Sequence, residues 1–345
     1  MNSGHPDLGA ITVLGACILD VLGRPVETIP PGQGSVRLQQ IRATAAGTAA
    51  GTGVDLAKLG AEVRAVGALG GDLLGDVVIA AMARHGVDTA GLIRKKEAQT
   101  SATILPIRPN GERPAFHVPG ATRLLTRADV DLDAIQDSRA LLIGAPDALA
   151  GLTGGDLADI AGAARGHGVL VAVDVLHPGR PEDLDRLAPL LAVTDWFLPN
   201  ADQLLALTGR RDLGPAIKDV IALGTTAVAV TCGADGCLVT WPDSGAPVHL
   251  PAIEVAVTDT TGCGDGFTAG LLAGLLLGPD PFGADPLDAA RLGLACGALV
   301  ATGLGSDAGI ENLGQVLGFL ERTQPAVACR ITGRIEASSS KEHIS

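Results

Sequence analysis

The sequence predicts an α/β fold: three layers, α/β/α, around a mostly parallel central sheet, with a small β-sheet lid. Three observations predict it. Strand-like and helix-like runs alternate through most of the chain, the pattern of a parallel sheet covered on both faces. Glycines at 60, 86, 168, 209 and 224 close successive helical runs, where a left-handed cap is favoured. Two stretches, about 16–45 and 95–120, break the alternation and read as a separate β element.

Taken in order, residues 1–8 read as an N-terminal tail, and Ala10–Leu14 as the first strand. Residues 16–45 lack helical periodicity and are assigned to the lid. Gly53–Leu59 and Asp76–His85 carry helical patterns on either side of the strand Val63–Gly67. Thr100–Arg108, Asn110-Gly111 and Glu112–Val118 read as a hairpin, since Asn-Gly tolerates the positive φ of tight turns. Strands follow at Leu141–Gly144, Leu170–Asp174, Trp196–Pro199 and Ala227–Thr231. The helices among them are Leu157–Gly166, Ala201–Thr208 and Pro215–Leu223. Ile253–Val257 is strand-like, and Phe267–Leu277 is an apolar helix. Residues 330–345, with Ser338-Ser-Ser-Lys-Glu-His343, read as a polar tail. With no internal repeat or long linker, 9–329 is one domain plus lid.

Composition narrows the function. The 345 residues are 47% hydrophobic but only 2% aromatic, with no Tyr. The core is therefore aliphatic, and stacking platforms for bases are scarce. A net charge of −13 argues against nucleic acid as a partner. The cysteines at 17, 232, 237, 263, 296 and 329 form no Cys-x-x-Cys pair and read as reduced, in a cytoplasmic protein. The start of the chain lacks the basic residues of a secretory signal. The apolar run Ala269–Leu277 is too short to span a bilayer. The histidines show no zinc spacing.

The chemistry concentrates in Asp259-Thr-Thr-Gly-Cys-Gly-Asp-Gly-Phe-Thr-Ala-Gly270. Glycines at 262, 264 and 266 sit where a helix begins. Backbone N–H groups there lack intrahelical partners, and the dipole favours an anion such as phosphate. A carboxylate in the same turn, Asp265, is a poor phosphate ligand. Its presence is explained if it takes a proton from a hydroxyl that attacks the phosphate. The turn is neither a Walker A loop, which needs a lysine, nor the dinucleotide Gly-x-Gly-x-x-Gly.

This segment closely resembles the C-terminal signature of the ribokinase-like (PfkB) carbohydrate kinases, Asp-Thr-x-Gly-Ala-Gly-Asp, with Cys263 in place of Ala. The resemblance extends over about residues 10–325. Ala46–Gly60 resembles the family's N-terminal signature, and Val66–Gly75 its next block. Pro199-Asn200 with Leu207-Thr208-Gly209, and Thr231-Cys-Gly233-Ala-Asp-Gly236, resemble its nucleotide-side segments.

The resemblance implies transfer of the ATP γ-phosphoryl group, with Mg²⁺, to a hydroxyl of a sugar, polyol or nucleoside. Asp265 is then the base, and the N–H groups of Gly262, Cys263 and Gly264 form an anion hole. Near a helix start, the Asp265 pKa is expected to be pulled down. Asp20 and Gly47 fall on the sugar side, where Gly47 would let backbone approach. Asn200, Thr231, Gly233 and Gly236 fall on the ATP side, and Asp174 is a candidate on the Mg²⁺ side. Asp259, Thr261 and Ser306 are candidates for a monovalent cation such as K⁺, with helix capping as the competing role. A homodimer through the lid is also implied.

Two departures stand out. The family's sugar-binding Asn is Gly51 here, which points to orientation from elsewhere or to a bulkier substrate. The family's Asn-x-x-Glu reads Asn200-Ala-Asp-Gln203, and neutral Gln203 orders a metal-bound water less strongly. These two changes also motivate an alternative, a ligand-binding or regulatory protein on the same scaffold. An oxidoreductase is weaker, since Gly303-Leu-Gly305-Ser-Asp-Ala-Gly309 has the wrong spacing. Among acceptors, sugars and polyols are favoured over nucleosides, because Phe116 and His117 are the only rings in the lid hairpin. The basic residues Arg94, Lys95, Lys96, Arg108 and Arg113 read as solvated protection of a lid edge rather than as contacts to a phosphorylated sugar.

Overall fold

The computed structural model describes residues 8–342 apart from 279, 281 and 282, with the side chains of 337–342 also outside the description. The first half of the chain runs β1 (Ala10–Gly15), β2 (Ile18–Arg24), β3 (Gln40–Ala46), α1 (Thr48–Lys58), β4 (Glu62–Gly70), α2 (Leu73–Ala83), β5 (Asp88–Lys95), β6 (Ala102–Pro106) and β7 (Phe116–Val118). It continues through α3 (Leu132–Gln136), β8 (Ala140–Gly144), α4 (Gly154–Gly166), β9 (Leu170–Asp174), α5 (Pro181–Leu191), β10 (Trp196–Phe197), α6 (Ala201–Thr208), α7 (Leu213–Ala222) and β11 (Ala227–Thr231). The last part holds β12 (Cys237–Thr240), β13 (Val248–Leu250), α8 (Cys263–Leu276), α9 (Pro286–Val300), α10 (Leu313–Thr323) and α11 (Pro325–Glu342).

A nine-stranded sheet has the order β13-β12-β11-β10-β9-β8-β1-β4-β5. From β11 to β5 all neighbours are parallel. β12 and β13 close one edge as an antiparallel meander. Strand residues alternate between two aliphatic cores. Ala140, Leu142, Leu170 and Ala172 face one side with α1 and α8 to α11, while Leu141, Ile143, Val171 and Val173 face the other with α4 to α7. That period of two, apolar at every position, is what a sheet covered on both faces demands.

Helix α8 is held tightly by α9. Gly270 and Gly274 lie one turn apart, and a Cβ on them would come within 2.7 Å of Leu292 O and 2.6 Å of Ala289 Cα. Only glycine lets the two backbones meet this closely. The start of α8, and the turn before it, are thereby fixed in place.

The lid is a separate four-stranded sheet, β3-β2-β6-β7. Its hairpin turn lies at 108–112, where Gly111 N–H donates to Arg108 O at 3.0 Å and Arg108 N–H to Glu112 O at 2.8 Å. Of the Asn-Gly pair only Gly111 takes a positive φ, 85°. The paired strands lie further out, with Ile104 opposite Phe116.

Several expectations need correction. Ile253–Val257 forms no strand: Pro251, without an N–H, follows β13 and ends the ladder. The expected tail from 330 is instead part of α11, because Val327, Ile331 and Ile335 form a buried helical stripe. Leu8, assigned to the N-terminal tail, is fully buried, and residues 1–7 lie outside the described residues. Arg94 and Lys95 belong to β5, the edge of the central sheet, not to the lid. Arg94 donates to Gly70 O and pairs with Asp76, and Lys95 pairs with Asp129 at 2.7 Å. All six cysteines are free. Among the described residues no helix is long and apolar enough to cross a membrane.

Candidate active site

The chain extends the sheet from β1 through β4 to β5, then returns to place β8 on the opposite side of β1. Such a reversal opens a crevice at the C-terminal strand ends, the usual ligand position in an open α/β sheet. Asp174 and Thr231 end strands at this edge, and Asn200 bridges to Thr231.

The turn before α8 lies in the left-handed region at Gly262, φ 80°. A Cβ there would fall 2.4 Å from Ser306 Cα, so the turn rests directly on the 302–309 loop. Asp259 binds the two together. Its buried carboxylate accepts the Thr261 N–H at 3.0 Å, the Thr261 hydroxyl at 2.8 Å and the Gly305 N–H at 2.9 Å. Ser306 in turn donates to Ala45 O on lid strand β3 at 3.1 Å. The three cation candidates are therefore adjacent. In the turn before α8, Gly264 faces open space, whereas the Cys263 N–H is directed to Thr260 O at 3.3 Å.

Asp265 opens α8 and lies over Gly51 of α1. A Cβ on Gly51 would be 2.5 Å from Asp265 Oδ2 and 3.0 Å from its Cγ. The room left by the missing family side chain is thus filled by Asp265 itself, and is not open to a bulkier substrate. The expected lowering of the Asp265 pKa is also reversed. Burial, reinforced by the Asp20 carboxyl, pushes it up to about 7, with Arg113 opposing. Asp20 is raised to about 6, again chiefly by burial, against a hydrogen bond from Thr103 and the charge of Arg113.

The remaining candidates divide. A Cβ on Gly47 would meet the protein's own Ala16 O at 2.6 Å, so this glycine serves a close approach within the chain. Gly236 is likewise required by Leu250 O, at 2.0 Å, whereas Gly233 faces open space. Asn200 caps α6, accepting the Gln203 N–H at 2.9 Å. Gln203 completes the capping box and also donates to Val175 O at 2.9 Å, which engages both ends of its side-chain amide within the protein. Asp174 is buried and accepts the Thr268 hydroxyl at 3.0 Å. Burial first, and the Asp265 charge second, hold its pKa well above the usual carboxylate range.

Arg113 is exposed, as a solvated edge residue is expected to be, and also reaches the site. Its Nε donates to Thr260 Oγ1 at 3.4 Å, and its charge reaches Asp20, Cys263 and Asp265. Thr103 also went unnoticed as a partner of Asp20. The available signal was register: alternate residues of the 100–118 hairpin share the Asp20 face of the lid.

The model of the pfkB family carbohydrate kinases matches residues 9–313. The chain belongs to this family and is a carbohydrate kinase. It is 29% identical over 319 residues to a ribokinase of Haemophilus influenzae, covering 90% of this chain and 98% of that protein. It is 27% identical over 286 residues to fructokinase-1 of Oryza sativa subsp. japonica, covering 80% and 88%. The fold matches that of Arabidopsis thaliana ribokinase complexed with ribose and ATP, at TM-score 0.75 and 22% identity, covering 92% and 99%.

The contact between Gly51 and Asp265 carries a prediction. Gly51→Asn would displace the Asp265 carboxyl and lower turnover by about 10²-fold, the cost of a misplacement near 1 Å. Steady-state kinetics, with circular dichroism to verify the fold, checks this; unchanged turnover would show that Asp265 does not depend on the space at Gly51.

Proposed function

We propose that the chain transfers the γ-phosphoryl group of ATP to a hydroxyl of a sugar or polyol, with Asp265 as base. The observation that carries this reading is a carboxyl with pKa about 7, set in an anion-binding helix start and facing a second carboxyl, Asp20. A base near neutral pKa is matched to deprotonating a hydroxyl at physiological pH. Asp20 orients the acceptor, whose hydroxyl proton passes to Asp265 as its oxygen bonds the γ-phosphorus and the bridging P–O bond breaks to release ADP. The exposed N–H of Gly264 and the N-terminal dipole of α8 receive the transferring phosphoryl oxygens. Arg113, reaching from the lid, offsets the charge gathered there. Thr231 and Gly233 lie on the nucleotide side, where Gly233 leaves open space. Ribose and fructose, the substrates in the relatives' names, are the first acceptors to try.

Among the described residues no cluster of three metal-ligating side chains occurs. That suits Mg²⁺ held mainly by nucleotide phosphates and water, with Asp174 as its protein-side carboxyl. When bound, Mg²⁺ neutralises charge on the phosphates. The all-oxygen set of Asp259, Thr261 and Ser306 suits a hard monovalent cation, and Asp259 Oδ2 accepts one bond while able to take more.

Three outcomes test these readings. Asp265→Asn retains ATP binding and loses about 10²–10⁴-fold in turnover, the usual contribution of a positioned base. In the unaltered protein, kcat/KM falls as pH drops through about 7, because protonation removes the base, and is level above it. ADP release across a sugar panel measures both, and wild-type turnover by the variant would refute the role. K⁺, compared with Na⁺ at equal ionic strength, raises the melting temperature if the cation site forms; equal melting rejects it.

The lid also supports a dimer. Ile41, Ile104, Phe116 and Val118 are exposed and share one lid face, opposite to the Asp20 face. A second copy of this chain would cover that apolar surface. Sedimentation at micromolar concentration is expected to give a dimer, and Ile104→Lys a monomer. A monomeric wild-type protein would exclude this assembly.

A further inference from the structure

We propose that His117, His177 and Asp147 form a specificity subsite that takes a neutral, hydroxyl-bearing end of the acceptor. The inference rests on the phosphotransferase reading above and deepens it.

One wall comes from the lid. Asp20, Thr103 and His117 lie directly opposite one another on β2, β6 and β7, on a single face. The row is hydrogen-bonded: Thr103 pairs with Asp20 and, at 3.1 Å, with His117 Nδ1. His117 thus continues the line that begins at Asp20.

The other wall comes from the strand ends. After β8 the chain passes through Ala145, a non-glycine residue with φ 59°, whose N–H donates to Asp174 O at 2.8 Å. This bend presents Asp147. Its carboxylate, 9% exposed, accepts the Leu176 N–H, the His177 N–H and His177 Nδ1, each at 2.9 Å. The His177 ring is therefore oriented by a fixed carboxylate, yet its side chain is 58% exposed. Leu176 packs against Ala16 and Ile18 at the base of the lid. Leu176 thereby brings the neighbouring His177 to the base of the lid that carries His117, and the His117 pKa is lowered by burial first and by the His177 charge second. Neither ring belongs to the core.

Hydrogen-bond polarity gives the ligand class. A carboxylate only accepts, so Thr103 gives its one proton to Asp20 and takes the bond from His117 Nδ1–H. In the neutral ring this leaves His117 Nε2 as an acceptor. Asp147 likewise takes His177 Nδ1–H and raises the His177 pKa, so the ring presents Nε2 as an acceptor when neutral and as a donor when protonated. The wall formed by Asp20 and both Nε2 atoms calls for proton donors. Sugar or polyol hydroxyls supply them, and a hydroxyl also serves a protonated ring by accepting. A carboxylate or phosphate on the acceptor has no proton to give.

The test uses the full chain. ADP release is compared for neutral pentoses, hexoses and inositols against aldonates and sugar phosphates. With the preferred acceptor, His177→Ala and His117→Ala should each raise the acceptor KM about threefold to tenfold, the worth of one neutral hydrogen bond, with kcat within about twofold. KM for Mg-ATP and the melting temperature should not move, and His177→Gln should recover part of the loss. Unchanged acceptor KM in both alanine variants, or a preference for anionic acceptors, overturns the subsite while leaving the kinase reading intact. Absence of acceptor-dependent ADP release from the unaltered protein counts against phosphotransfer instead. Calorimetric titration of the same sugars then decides the subsite: weaker binding by His177→Ala supports it, and equal or absent binding refutes it.

Discussion

The carboxylate of Asp259 is the contact on which the rest of the site depends. It is fully buried and accepts three hydrogen bonds, two from Thr261 and one from Gly305. Bonds to an ionised acceptor are roughly twice as strong as neutral ones, so this residue sets the turn against the 302–309 loop. From that loop, Ser306 reaches β3, and the lid is tied to the start of α8 through two residues. On the other side, the glycines of α8 let α9 press against it and remove the freedom to slide. The turn is thereby held from both ends.

With the turn fixed, the electrostatics of Asp265 follow from competing magnitudes. A helix N-terminus lowers a carboxyl pKa, but its worth is at most about 2 kcal/mol, or about 1.5 pKa units. Burial shifts a carboxyl by as much as about 3–5 units. Asp265 moves from 3.8 to about 7, so burial prevails, and Asp20 adds to it. Arg113 opposes both from the lid. The lid therefore bears on this carboxyl in both directions: its Asp20 raises the Asp265 pKa and its Arg113 lowers it.

Much of this was legible in the sequence. The parallel strands from β1 to β11 carry near-continuous aliphatic runs that only a two-faced sheet can bury, and the turn at 262–265 announces a helix start by its glycines. What failed was long-range. The Asp265 pKa depends on burial and on the Asp20 and Arg113 charges from the lid, and the room for its carboxyl on Gly51, more than 200 residues earlier in the chain. Helix-end reasoning sees only the local dipole. Gln203 looked like a weakened metal ligand, yet its amide oxygen caps α6 and its amide nitrogen bonds Val175 O, neither contact visible from spacing to a metal. Arg113 is exposed as expected, but its reach to Thr260 was hidden because a hairpin loop carries no local sign of which way it folds. The stripe Val327, Ile331 and Ile335 was hidden by the polar residues that follow it.

The division between what stabilises this protein and what positions its site follows from the same facts. The two aliphatic cores supply the bulk of the apolar burial. One set of ion pairs lies around α1, the 302–309 loop and β3, where Lys58 meets Asp55 at 3.4 Å and Asp307 meets Arg42 at 2.9 Å. Asp55 is fully buried, one turn beyond Gly51, and burial holds its pKa well above the usual carboxylate range. A buried ion pair of this kind is weak evidence for stability, since desolvation offsets its attraction. Its worth here is geometric. Lys58 also donates to Asp307 O at 2.5 Å, tying α1 to the loop that carries Gly305 and Ser306. Gly51 and the Asp259 clamp are thus held to the same helix and loop, which keeps the Asp265 carboxyl over Gly51 where its burial sets its pKa.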